Sequence, residues 1–161
     1  MRHYLRHAPA AFVVLALAVL SNRVVAADAV VTSFVFKSGS TVDNLNATFS
    51  PAGSPFHGSG FINKFGHVIE SGKLFVTRAP VGTHDAMHAS MTVKLVGGDQ
   101  LFLTMTGQVN VHSGLLTGSV AVTGGTGRFA NVTGSGGFSG QIGTFHNFNA
   151  PMWLTIIGTL Q

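Results

Sequence analysis

The sequence predicts an all-β fold, a single closed antiparallel β-barrel of about eight strands. Short segments rich in Val, Thr, Phe and Ile alternate apolar with polar residues, which is typical of β-strands. All 21 glycines lie after residue 38, and they interrupt nearly every stretch that could form a long helix. Closure into a barrel is favoured over an open sandwich, because it leaves no exposed strand edges.

The strands are predicted from these apolar and polar alternations. The string Gly97-Gly98-Asp99 predicts a hairpin turn between two of them. The predicted segments are 31–37, 45–49, 60–65 with 67–70, 73–78, 86–96, 100–111, 115–123, 128–141 and 152–160.

The N-terminus has the pattern of a secretory signal peptide: a basic start, an apolar run at 10–20, and the small residues Val25-Ala26-Ala27 before Asp28. The apolar run covers about half of the roughly 20 residues that a membrane-spanning helix needs. We therefore expect 1–27 to be a signal peptide and 28–161 to be the barrel domain. The mature protein would be secreted or periplasmic, with no membrane span after processing.

Charge and cysteine content exclude several classes of function. The basic residues after the leader are scattered singly, whereas a phosphate-binding face needs them clustered, so no nucleic-acid partner is expected. The chain has 0 Cys, which rules out disulfides and thiolate chemistry. An outer-membrane barrel is disfavoured, because its aromatic girdles need Tyr and Trp, and the only such residue after the leader is Trp153.

The most specific string is VTGGTGRFA, at 122–130. A dinucleotide fingerprint would require a helix after the glycines and an acidic residue about 20 positions later, and the sequence has neither. No cofactor is therefore expected. The string instead predicts a structural turn with positive φ, followed by a strand that Arg128 and Phe129 lead. The turn residues are Gly124, Gly125 and Gly127.

This string resembles the Gly-Gly-Thr-Gly-[Arg/Lys]-Phe motif of the allene oxide cyclase and dirigent families, most closely over 100–140. The resemblance implies a calycin-like barrel of eight strands with an apolar central cavity, often in a homo-oligomer, a trimer. It also implies cyclase or dirigent-like chemistry on small apolar molecules. The motif itself carries no catalysis, and the Asp-rich N-terminal segment of dirigent proteins is missing here, so the resemblance supplies no catalytic residue.

Two sets of polar residues could carry chemistry. His84 and His88 would share a metal ion on a helix, at about 6 Å, but lie about 13 Å apart on a strand, which is the expected context. No metal site is therefore predicted. Glu70 is the best candidate for acid-base catalysis, because a lone carboxyl on an apolar barrel wall would have a raised pKa.

These observations leave three functions open. The first is a binding module that holds a small apolar or aromatic ligand in a Phe-lined cavity. The second is a cyclase-like or isomerase-like enzyme that uses the same cavity, with Glu70 assisting proton transfer. The third is a structural or interaction protein without a ligand.

Overall fold

The computed structural model describes residues 31–79, 81–143 and 149–161, and these residues form one closed antiparallel barrel of eight strands. Each strand pairs with the next along the chain, and β8 pairs with β1 to close the barrel. The predicted fold class is thus confirmed. The strands are β1 Thr32–Val42, β2 Ser54–Ile62, β3 Gly66–Thr77, β4 His84–Leu95, β5 Gln100–Asn110, β6 Leu115–Gly125, β7 Gly134–Ile142 and β8 Ala150–Leu160.

Several strand assignments from the sequence were wrong in detail. The segment predicted at 60–65 covers only the end of β2, Ser54–Ile62, and the turn that follows it. Leu45–Phe49 is a 3₁₀ helix, because Asn44 adopts a left-handed conformation, with φ of 48°, and turns the chain out of β1. The segments predicted separately at 67–70 and 73–78 belong to one strand, β3. Arg128 and Phe129 lie in a second 3₁₀ turn, Gly127–Phe129, and the strand that they were expected to lead begins only at Gly134.

The glycine string forms a tight turn, although its three glycines serve different needs. Gly124 and Gly127 have φ of 139° and 57°, as predicted for a turn that favours glycine. Gly125 has no positive φ, contrary to the prediction. It is required because a Cβ there would collide with the Gln100 carbonyl and lie 2.7 Å from the Cβ of Phe129.

The barrel interior is filled by alternate side chains of every strand. Inward Phe rings lie over inward glycines on the neighbouring strand: a Cβ on Gly72 would come within 2.7 Å of the Phe56 ring, and one on Gly118 would come equally close to Phe138. Phe34 and Phe36 cover Gly158 and Gly60 in the same way.

All of these rings are at most 5% exposed to water. An eight-stranded barrel is just wide enough for its own side chains to fill. A cavity wide enough for water would leave accessible surface on the side chains around it. Within the described residues, no water-sized cavity therefore borders these four rings, which fill interior space where a ligand cavity was predicted.

The predicted signal peptide, 1–27, lies outside the described residues. Among the residues that are described, no helix has the length and apolar character needed to cross a membrane.

Candidate functional site

The strand register brings a buried polar cluster together at the middle of the barrel wall. Glu70 on β3 points inward and is only 3% exposed. It pairs with Gly58 on β2, and Gly58 pairs in turn with Ser40 on β1. Because Gly58 has no side chain, the Ser40 hydroxyl reaches across it and donates a hydrogen bond to Glu70 Oε1. A Cβ on Gly58 would lie 2.8 Å from the Ser40 Oγ, so this contact depends on glycine.

The cluster is only partly satisfied by hydrogen bonds. Glu70 Oε2 and the Ser38 Oγ are buried and have no hydrogen-bond partner among the described residues. Burial raises the pKa of Glu70 above its ordinary value, and the nearby Ser40 and Ser38 hydroxyls offset this only in part. The carboxyl therefore has the environment that the sequence predicted for a candidate proton donor, although its free oxygen faces packed core.

A concave surface lies on the outer side of the same wall. This outer groove has a volume of about 730 Å³, and its floor includes atoms of Ser40, Gly58 and Glu70. The strand register contributes to its shape, because Gly39 and Ser59 lie beside the large Trp153 in one row, and Ser71 and Thr92 lie beside His57 in the next. One row is Trp153, Gly39, Ser59, Ile69, Lys94 and Gln100, and the next is Pro151, Thr41, His57, Ser71 and Thr92.

The two ends of the outer groove differ in chemistry. At the β8 end, Trp153 is 54% exposed and stands beside Gly39, where the nearest outside atom to a built Cβ would be Trp153 Cδ1 at 4.0 Å. At the other end, Lys94 supplies an ammonium group and Gln100 supplies a side-chain amide. Ile69, which is 60% exposed, adds apolar surface between them.

A second groove of about 620 Å³ continues the first across β2 to β6. The two grooves share His57, Ser71 and Thr92. The His57 Nδ1 lies 3.3 Å from Asp43 Oδ2, so the imidazole that borders both grooves is already in contact with a carboxylate.

The remaining candidates from the sequence do not form a site. His84 and His88 lie on β4 and are both exposed, in the strand context that the sequence predicted. Among the described residues, no group of three or more His, Cys, Asp or Glu could hold a metal ion. Asp99, in the predicted hairpin turn, accepts a 2.7 Å hydrogen bond from Arg128 Nε, and this pair ties the glycine string to the β4–β5 turn.

Sequence reasoning found Glu70 but missed the outer groove. Glu70 stood out because it is a carboxyl at an inward position of an alternating strand. The groove is made of outward, mostly small residues from several strands, which become neighbours only through the register. The exposed Trp153 and the outward Gly39 were the signals available, but neither one points to the other in sequence.

Comparison with known proteins does not assign this chain to a family. No protein-family model matches the chain, and no curated protein matches it. Among solved structures, the chain is similar to the pterocarpan synthase dirigent protein GePTS1, with 14% identity and a TM-score of 0.36, covering 81% of this chain and 84% of that one. The barrel assignment itself stands on the strand pairing given above. The resemblance to allene oxide cyclases stays a prediction.

Proposed function

We propose that this protein is an exported β-barrel that binds a small apolar or aromatic molecule, and that the outer groove is its binding site. The observation that carries the proposal is the pairing of an exposed Trp153 with the side-chain-free Gly39 at one end of a groove of about 730 Å³. Small-molecule sites typically measure about 300–1,000 Å³ and combine apolar walls with a few polar groups. Trp rings supply apolar contact area together with one N–H donor.

Gly39 allows the groove to be blocked without disturbing the fold. Its φ is not positive, and a built Cβ would meet nothing closer than Trp153 Cδ1 at 4.0 Å. Gly39→Leu should therefore fill the groove and leave the backbone intact. Gly137→Leu is the matched control, because Gly137 is also exposed on a strand, β7, and its built Cβ would meet only the Gly118 carbonyl at 3.7 Å.

The test uses N-phenyl-1-naphthylamine, a neutral aromatic probe whose emission rises in apolar surroundings. We expect the wild type and Gly137→Leu to bind the probe and Gly39→Leu to lose binding. Circular dichroism of all three proteins should be the same. Equal binding by the two variants would move the site away from the outer groove, and no binding by the wild type would reject the proposal for this class of ligand.

A second candidate function is proton-transfer chemistry of the cyclase or isomerase kind, with Glu70 as the acid or base. It is favoured by one observation, a buried carboxyl with a raised pKa and one oxygen without a partner among the described residues. The carboxyl faces the packed interior, so a substrate would have to displace part of the core, and for this reason binding ranks first. Glu70→Gln should abolish any deuterium incorporation from D₂O into enolisable ketones that the wild type catalyses, whereas Asp43→Asn should retain it.

Export is part of the proposal and has its own test. A precursor that is processed as the N-terminal pattern predicts should yield a mature protein that starts at Asp28. N-terminal sequencing of the periplasmic and culture fractions of the native host would establish both the cleavage site and the compartment.

We also propose that the protein assembles as a trimer, as the family resemblance implies. Light scattering on the purified mature protein would give the oligomeric state.

If no small molecule binds, we propose instead that the protein is an interaction protein and that the grooved outer face contacts its partner.

A further inference from the structure

The charges around the outer groove are unbalanced. Each carboxylate of the described residues already has a close polar contact: Asp43 with His57, Glu70 with Ser40, Asp85 with the Ala79 amide and Asp99 with Arg128. The Lys94 side chain, by contrast, is exposed at the polar end of the groove, and its ammonium makes no hydrogen bond or ion pair within the part of the chain that the structure describes.

We infer that the outer groove takes a ligand with an apolar or aromatic body and an anionic group, the body against Trp153 and the anion near Lys94. This inference rests on the proposed function and adds the chemistry of the ligand. The groove is lined by two basic side chains, His57 and Lys94. Because the His57 imidazole already contacts Asp43, Lys94 is the one that can pair with a carboxylate or sulfonate of the ligand. Gln100, its neighbour on β5, carries an amide that can donate to the same anion.

The geometry also restricts the shape of the ligand. Trp153 and Lys94 lie in one row across the sheet, on β8 and β4, with β1, β2 and β3 between them. Four strand spacings of about 4.8 Å make the path along the curved wall between their backbones roughly 19 Å long. A ligand that contacts both residues therefore has to be elongated, with its anion at the end opposite the ring.

Two matched probes test the inference: 1-pyrenebutyrate, with a ring, a short chain and a terminal carboxylate, and 1-pyrenebutyramide, its uncharged equivalent. Trp153 is the only Trp of the chain, so energy transfer from Trp to pyrene reports binding of the probe to the protein from a single donor, and the lysine variants locate its anionic end. The binding of each probe is measured for the mature protein, residues 28–161, and for its Lys94→Met and Lys37→Met variants. Lys37 is an exposed lysine on β1 outside both grooves, so its variant makes the same change in net charge elsewhere.

We expect the wild type and Lys37→Met to bind the carboxylate about two- to five-fold more tightly than the amide, the range of a solvent-exposed ion pair. Lys94→Met should bind both probes equally, and 0.5 M NaCl should remove the preference in the wild type. Equal binding of the two probes by the wild type would overturn the inference and leave the proposed function standing. So would a carboxylate preference that survives in Lys94→Met. If neither probe bound, the proposed function would fail, and the inference with it.

Discussion

The buried carboxyl of Glu70 should make the stability of the barrel depend on pH. Burial raises the folded-state pKa of Glu70 above its ordinary value of 4.5. The folded protein therefore holds this proton more tightly than the unfolded chain does. Stability is full below pH 4.5 and falls as the pH rises from there to the raised pKa, above which the loss is constant.

Glu70→Gln removes this dependence. The amide keeps an oxygen that can accept the Ser40 hydrogen bond, and its N–H can donate to the Ser38 Oγ, which has no partner among the described residues. Each pH unit between the two pKa values costs the wild type about 1.4 kcal/mol. Since about 1 kcal/mol shifts the Tm of a domain of this size by roughly 2–8 °C, the variant should melt higher than the wild type at pH 8, by a few degrees for each pH unit by which burial raises the pKa.

The assay is thermal unfolding of both proteins in steps from pH 4 to pH 8, with Asp43→Asn as the control. Asp43 is a partly exposed carboxylate, so its removal should leave the pH profile of the wild type largely unchanged. The two melting curves should coincide near pH 4 and diverge towards pH 8. A Glu70→Gln profile that runs parallel to the wild type over the whole range would refute the reasoning, because the carboxyl would then carry no desolvation cost.

Three further predictions concern the glycine turn, the core and the ion pair at the turn. Gly125→Val should lower the Tm by several degrees because of its collisions with neighbouring atoms, while Gly97→Val, where a built Cβ meets nothing within 4 Å, should not. Phe56→Ala should destabilise the barrel by about 3–5 kcal/mol in urea unfolding, since it removes a ring from the core and leaves a cavity. Arg128→Met should cost less than about 1 kcal/mol by the same assay, because its ion pair with Asp99 is solvent-exposed; a larger loss would mean that the pair holds the glycine turn in place.

The sequence predicted the strands well where apolar alternation is long, and failed where a single residue redirects the chain. Leu45–Phe49 alternates like a strand, yet the left-handed Asn44 before it starts a 3₁₀ turn instead. Gly125 shows a different limit. A glycine required by a positive φ and a glycine required by a close neighbour look the same in sequence, and only the position of Gln100 and Phe129 distinguishes them.

The candidate site likewise has one part that a local sequence pattern predicts and one part that depends on strand register. Glu70 could be found from the sequence, because its burial follows from the strand period alone. Its partner Ser40 could not, since the contact runs across two strand spacings and depends on Gly58 between them. The outer groove depends on the register of β8 with β1 and of β1 with β2, and no local pattern encodes it.

The glycines connect these features, because their role depends on which face of the wall they occupy. Inward glycines such as Gly72 and Gly118 leave room for Phe rings of the neighbouring strand. The rings fill the space that the missing side chains leave, so these glycines do not open a cavity. Gly58, which also faces inward, leaves room for the hydrogen bond between Ser40 and Glu70. On the outer face, the missing side chain at Gly39 has no ring to cover it, and the result is open surface beside Trp153. Because the interior space is already used by the rings, a ligand of this barrel is expected to bind where the wall is bare on the outside.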